Sequence, residues 1–185
     1  MNEPNPTNNP EKLKQPEYDY RPGQVSDAPA IQLVIERAIA ARKGEFIASD
    51  ITRPDYIEEN AERLSRESTW SMLAFAGDKL VGLAMGEPAI ELITGEIVTG
   101  REDLILLMVD PDHWGLGIGG ELLDRLENEL ASNKVQSIEL WTGVDNQRSR
   151  ALYERKGYKL TGAEDVRHGN LHVQFEKYLT NQDRQ

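Results

Sequence analysis

The sequence predicts one α/β domain, with a mixed, mostly antiparallel central sheet and helices on both faces. Three observations point there. At 185 residues the chain has the size of one ordinary domain and is long enough to bury a substantial core. Period-two apolar runs joined by tight turns fill its middle and imply antiparallel hairpins, whereas helix-period runs separate the later strands and imply crossovers. Finally, an apolar run ending at Val109 passes through a polar turn and glycines 115, 117, 119 and 120 straight into an amphipathic helix. A buried strand there delivers a glycine-rich loop to a helix start.

The elements follow in order. Residues 1–16 hold four prolines and four asparagines with few apolar residues, a composition that cannot repay the entropy of ordering and predicts a disordered tail; the folded domain is expected over 17–180. Tyr18 and Tyr20 alternate in a short first strand, 17–21, closed by Pro22-Gly23. Ser26, Asp27 and Pro29 open a helix whose inward face is Ile31, Val34, Ile35, Ala38 and Ile39, and Gly44 ends it. Thr52 and Pro54 open a second helix with Ile57, Ala61 and Leu64 inward and a solvated, mixed-charge outer face. Strands at 70–76 and 79–85 meet at a Gly77-Asp78 turn, and 87–101 reads as a protruding hairpin about Thr94-Gly95. A central strand (103–109), a helix (117–132), a strand (137–143), a helix (146–156) capped by Gly157 and a strand (158–161) follow. The last strand, 171–178, points Leu171, Val173 and Phe175 inward. The order is β-αα-βββ-α-β-α-ββ.

Composition excludes several classes. The net charge of −11 argues against nucleic acid as a partner, since phosphate backbones demand basic surface. No stretch approaches the apolar length of a membrane span and no charged-then-apolar leader opens the chain, so a cytoplasmic location is expected. Cysteine is absent, which removes disulfides, thiolate metal sites and a cysteine nucleophile together. His168 and His172 stand four apart, but Gly169 and Asn170 between them argue against a shared helical face, and no metal site is expected. His113 reads as a turn residue.

Backbone N–H groups of the loop after Val109 can converge on an anion at a helix start, and pyrophosphate is the expected guest. Gly115, Gly117 and Gly120 satisfy a dinucleotide-type G-x-G-x-x-G with Glu139 about 20 residues on. That fingerprint places its first glycine directly after the strand, whereas here five residues intervene, and Glu139 lies inside its own strand. The run Val109-x-Pro111-x-x-Trp114-Gly115-x-Gly117-Ile118-Gly119 instead resembles motif A of the GNAT superfamily, the acyl-CoA-dependent N-acetyltransferases. A second run, Asn146 to Tyr158, resembles that family's N-x-x-A-x-x-L-Y-x-x-x-G-F. Trp114 stands where the family has Arg or Gln, which removes one positive side chain, and Ser149 where it usually has Ala. The resemblance covers about residues 18–178.

The resemblance implies direct transfer of an acetyl group from acetyl-CoA to an amine in a ternary complex, without a metal. It implies a pyrophosphate grip by the backbone of Trp114, Gly115, Leu116, Gly117, Ile118 and Gly119, a pantetheine contact at Val109 and polarisation of the thioester carbonyl by the Leu107 N–H. Tyr153 matches the family tyrosine that protonates the leaving thiolate, and Asn146 the residue that contacts the cofactor arm. Arg148 and Arg150 are candidates to reach phosphate from the same helix. For the base, Asp103 and Glu102 open the central strand; Asp103 is favoured because strict alternation places it on the face of Leu107 and Val109. Trp141 offers a secondary ligand contact. The acceptor is an amine, with a cationic one favoured by Glu45, Asp50, Glu164 and Asp165 in the loops 44–53 and 162–170, offset by Arg53, Arg167 and His168. A homodimer is allowed. The alternative function is a non-catalytic acetyl-CoA-binding or sensory module on the same fold.

Overall fold

Seven strands form one sheet in the order β1-β2-β3-β4-β5-β7-β6. The computed structural model describes residues 17–44, 54–91, 93–167 and 169–179; the expected tail 1–16, the Thr52 helix start, and Glu45, Asp50, Arg53 and His168 lie outside them. The strands are β1 (Asp19–Arg21), β2 (Trp70–Ala76), β3 (Lys79–Ile90), β4 (Ile97–Val109), β5 (Ser137–Gly143), β6 (Lys159–Arg167) and β7 (Asn170–Tyr178). The helices are α1 (Ala28–Lys43), α2 (Pro54–Ser65), α3 (Ile118–Ser132) and α4 (Gln147–Arg155). The expected element order is observed among the described residues.

Two apolar cores hold the layers together. On one face, Leu122, Leu123, Leu126 and Leu130 of α3 pack with Tyr153 of α4 and with Ala84, Leu104, Ile138, Leu140 and Phe175 of the sheet. Those four leucines are all 1% exposed or less, and burying each stabilises the fold by about 1.5–3 kcal/mol. On the other face, Ile31, Val34 and Ile35 of α1 meet Leu73, Leu80, Leu83 and Met85. The helical periodicities read from the sequence are those that bury these side chains. Leu171 departs from its expected inward position: it is 40% exposed while Val173 and Phe175 are buried, at the start of β7 where its neighbours are Val166 of β6 and the turn after β5, whose Val144 N–H donates to Leu171 O.

Two irregularities, among several in the sheet, shape its centre. β3 and β4 form one long hairpin, from Gly82↔Val109 out to Ile90↔Ile97, so the predicted protrusion at 87–101 is its distal half. Within it, Met85 pairs with Leu106 but Gly86 with Leu104, which makes Ile105 the extra residue of a β-bulge. Alternation therefore shifts by one. Leu104, Leu107 and Val109 pack on the α3 side, while Ile105, Leu106 and Met108 pack on the α1 side. This overturns the strict-parity expectation for Asp103. Its register partner Glu87 is held by Arg63 of α2 and by Arg66 just past its end, so Asp103 faces the α1/α2 side. Glu102, beside Ile138, turns to the α3 side. The second irregularity lies between β4 and β5, the sheet's one parallel pair, which keep register only over Arg101↔Ser137, Glu102↔Ile138 and Asp103↔Glu139. Beyond those residues the two strands diverge.

Candidate active site

The divergence leaves the inner half of β4 with an open edge. Asp110 donates its N–H to Val81 O at 2.8 Å, so Val81/Asp110, Leu83/Met108 and Met85/Leu106 are the pairs that exchange hydrogen bonds with β3. The intervening residues, Leu107 and Val109, point their N–H and C=O away from β3 into the gap. A strand edge is thus offered to an extended ligand.

The glycine-rich loop opens onto the end of that gap. Asp110 starts it by accepting Asp112 N–H at 3.0 Å while Arg37 of α1 grips the same carboxylate at 2.8 Å. These bonds hold the buried Asp110 carboxyl below its usual range despite burial. Gly115 and Gly117 adopt φ of +82° and +85°, a left-handed conformation that glycine reaches without strain. A Cβ at either would meet nothing within 4 Å, so the space above the loop is open. Gly117 is the N-cap of α3, whose first-turn N–H groups, Ile118 and Gly119 included, have no partner within the helix. Open donors, a helix dipole and room above them fit a pyrophosphate.

The second signature meets the first at Gly119, where a Cβ would lie 3.5 Å from Leu152 Cδ2 and 3.7 Å from Val109 Cγ2. Asn146 caps α4 by accepting Ser149 N–H at 3.3 Å. Tyr153 is buried beside Tyr158 and Phe175, with ring centroids at 5.7 and 5.9 Å. Desolvation pushes its phenol well above the ordinary value, which keeps it a proton donor. The two arginines of this helix part company. Arg150 donates to Val144 O at 3.0 Å and so braces its own loop. Arg148 lies over the Trp114 ring at 4.2 Å, while the Trp114 indole N–H donates to Val109 O at 2.7 Å. Trp114 thus joins the strand end to the loop and carries a cation above it.

On the α1/α2 face, one carboxylate from each of four adjacent strands falls into a row: Glu87↔Asp103, Asp103↔Glu139, Glu139↔Glu176. Like charges opposed across strands repel, and arginines offset most of them. Arg63 and Arg66 serve Glu87, and Arg101 serves Glu139 and Glu176. Asp103 has no ion pair or hydrogen bond among the described residues. Burial, then the charge of Glu139, raise its carboxyl to about 6. Glu102, 7% exposed with Oε2 unbonded, is raised to about 7, first by burial and then by Glu87 and Asp103. Asp103, Ile105, Glu139 and Trp141 line a cavity of about 230 Å³ with Glu87, Ile90 and Arg167, at the point where β4 and β5 part. The sequence reading missed Glu87 and Glu139 as pocket residues. Its one available signal was an acid inside the largely apolar runs of β3 and β5. Glu164 and Asp165 belong to strand β6 rather than to a loop.

A sheet opened between parallel strands, beside a glycine-rich helix start, defines a class of proteins that lay a phosphate-bearing ligand along a strand edge. The chain belongs to the acetyltransferase (GNAT) family, whose model matches residues 35–158. It is 37% identical over 73 residues to S-(2-succino)cysteine N-acetyltransferase of Bacillus subtilis, which is 38% of this chain and 44% of that protein. It is 35% identical over 82 residues to mycothiol acetyltransferase of Beutenbergia cavernae, 44% of this chain and 25% of that protein. The chain thus spans less than half the length of either relative. Its fold matches the Salmonella typhimurium protein yncA, solved with its cofactor acetyl-CoA, at a TM-score of 0.69, 17% identity and coverage of 89% and 95% of the two chains. No helix among the described residues is long and apolar enough to cross a membrane.

Proposed function

We propose that the protein is an acetyl-CoA-dependent N-acetyltransferase that moves the acetyl group directly to an amine. The observation that carries this reading is the open edge at Leu107 and Val109, flanked by the phosphate-type loop on one side and the Asp103 cavity on the other. Bound acetyl-CoA supplies the activated thioester. Backbone donors from Trp114 to Gly119 hold its pyrophosphate, Val109 and Asn146 position its arm, and the Leu107 N–H points at the carbonyl oxygen where charge builds. Asp103 accepts a proton from the acceptor ammonium, directly or through a water. The amine nitrogen then bonds to the acetyl carbon and gives its second proton to water, the C–S bond breaks, and Tyr153 delivers a proton to the leaving sulfur and regains one from solvent.

Asp103 fits the base role better than Glu102, since it lines the cavity whereas Glu102 is enclosed on the opposite face. A carboxyl near 6 is ionised at neutral pH and attracts a cationic nitrogen. The acceptors named for the two curated relatives favour catalysis over a purely sensory role. The test is acetyl-CoA turnover against a panel of amines, read by free thiol release. Turnover that disappears in Asp103→Asn supports the reading. Tight acetyl-CoA binding with no turnover on any amine would replace it with the sensory module.

A further inference from the structure

The acceptor cavity is not simply acidic. Of its charged groups, Glu87 is satisfied by Arg63 and Arg66, and Glu139 by Arg101. Two groups are left over. One is the Asp103 carboxylate, which no described residue binds. The other is the outer edge of Arg167. This guanidinium lies over Trp141, its central carbon 4.1 Å from the ring centroid, and Asp165 holds its Nε at 3.1 Å. No described residue accepts from its Nη1 or Nη2. Arg167 lines the same cavity as Asp103 and acts on its titration through space without bonding it. A fork fixed by stacking and by one ion pair has already lost much of its rotamer freedom, so it binds a planar anion at low entropic cost. Carboxylate is the anion that matches two parallel N–H groups. The remaining wall is uncharged, formed by Pro88, Ile90, Ile105 and the Trp141 ring together with the Gln174 amide.

We propose that the acceptor is an α-amino acid with an uncharged, largely apolar side chain, its ammonium facing Asp103, its carboxylate on the Arg167 fork and its side chain against Ile90, Ile105 and Trp141. This rests on the acetyltransferase reading and narrows it: one unpaired carboxylate beside a guanidinium that Asp165 engages only at Nε, its Nη edge open, is the complement of a zwitterion rather than of a polyamine. Arg167 is then a substrate-specificity residue. A guanidinium that only offset the acid row would do so for any amine alike.

The experiment compares each amino acid with the amine left when its carboxylate is removed: L-phenylalanine with phenethylamine, L-leucine with isoamylamine, L-methionine with 3-(methylthio)propylamine. 1,5-Diaminopentane is the dicationic control. Wild type, Arg167→Gln and Arg167→Lys are assayed with acetyl-CoA by thiol release, and their melting temperatures check folding. In wild type, kcat/KM for at least one amino acid should exceed that of its amine by about 10-fold or more. Arg167→Gln should erase that preference by raising KM for the amino acid and not for the amine, while any change in kcat that follows from the lost charge near Asp103 is shared by both. Arg167→Lys, charged but not forked, should fall between. Preference for the amines or for diaminopentane, or a KM ratio unmoved by Arg167→Gln, overturns the proposal while leaving the acetyltransferase reading intact. Absence of turnover on every compound overturns both.

Discussion

The two halves of the cleft are built from different materials. The half we assign to the cofactor is made of backbone: the open edge of β4, two glycines with positive φ and the first turn of α3. The half we assign to the acceptor is made of side chains, delivered by four strands and aligned only by register: Glu87, Asp103, Glu139, Trp141 and Arg167. Backbone donors are indifferent to substitution as long as the chain path is kept. A side-chain cavity changes chemistry with every exchange. One scaffold can therefore keep its carrier while its acceptor drifts.

Changes of geometry should injure the first half and changes of charge the second. The largest effect is expected at Gly117, where any side chain at φ +85° is strained but only a carboxylate also repels phosphate. Gly117→Asp should abolish the rise in melting temperature produced by acetyl-CoA, while Gly117→Asn, equally strained, should keep part of it. Equal loss in both variants would assign the effect to strain. Next comes the acceptor half. Asp103→Asn should lower kcat by about 10²-fold or more near neutral pH, recover partly at high pH and leave acetyl-CoA affinity unchanged. Glu102→Gln should do far less. A fully active Asp103→Asn enzyme would blur the division between the halves.

Arg148 tests the boundary from the other side, because it is a side chain lent to the backbone half. Arg148→Ala should raise KM for acetyl-CoA by about 5-fold, the effect of one exposed ion pair, and leave S-acetylpantetheine, which lacks the pyrophosphate, unaffected. The same loss on both would mean that Arg148 only props Trp114. The smallest effect is on stability. The Glu102 and Asp103 carboxyls are held at about 7 and about 6, above their unfolded values, so the fold favours their protonated forms. That contribution is fully present below the ordinary carboxylate range and is lost as pH rises through 6 and 7. Glu102→Gln should therefore raise the melting temperature at pH 8 and flatten its fall between pH 5 and 8. A parallel fall in both proteins would place the source elsewhere, in Asp103 or Glu139.

The cofactor half was legible because its residues are neighbours in the chain. Val109 to Gly120 and Asn146 to Tyr158 each carry spacing that one local element must satisfy, and both runs lie where the fold requires them. The acceptor half was not legible, since pairing Glu87 with Asp103 and Asp103 with Glu139 depends on register. Register in turn depends on a bulge at Ile105 that no residue type announces. Strict alternation chose Asp103 over Glu102 by placing it with Leu107 and Val109. The bulge places it on the opposite face, where it lines the cavity and Glu102 does not. Arg167 was weighed only as an offset to nearby acids, because its stack on Trp141 crosses β7 to reach β5.

Two of the three tryptophans lie under arginines, Trp114 beneath Arg148 and Trp141 beneath Arg167, one in each half of the cleft. Indole emission responds to a charge on its face and to the water around it, so each ring reports on its own ligand. With Trp70 and one of this pair replaced by phenylalanine, the remaining ring becomes a single-site fluorophore. Titrating acetyl-CoA against Trp114 and an amino acid against Trp141 would then give the order in which the two ligands enter, without an attached dye.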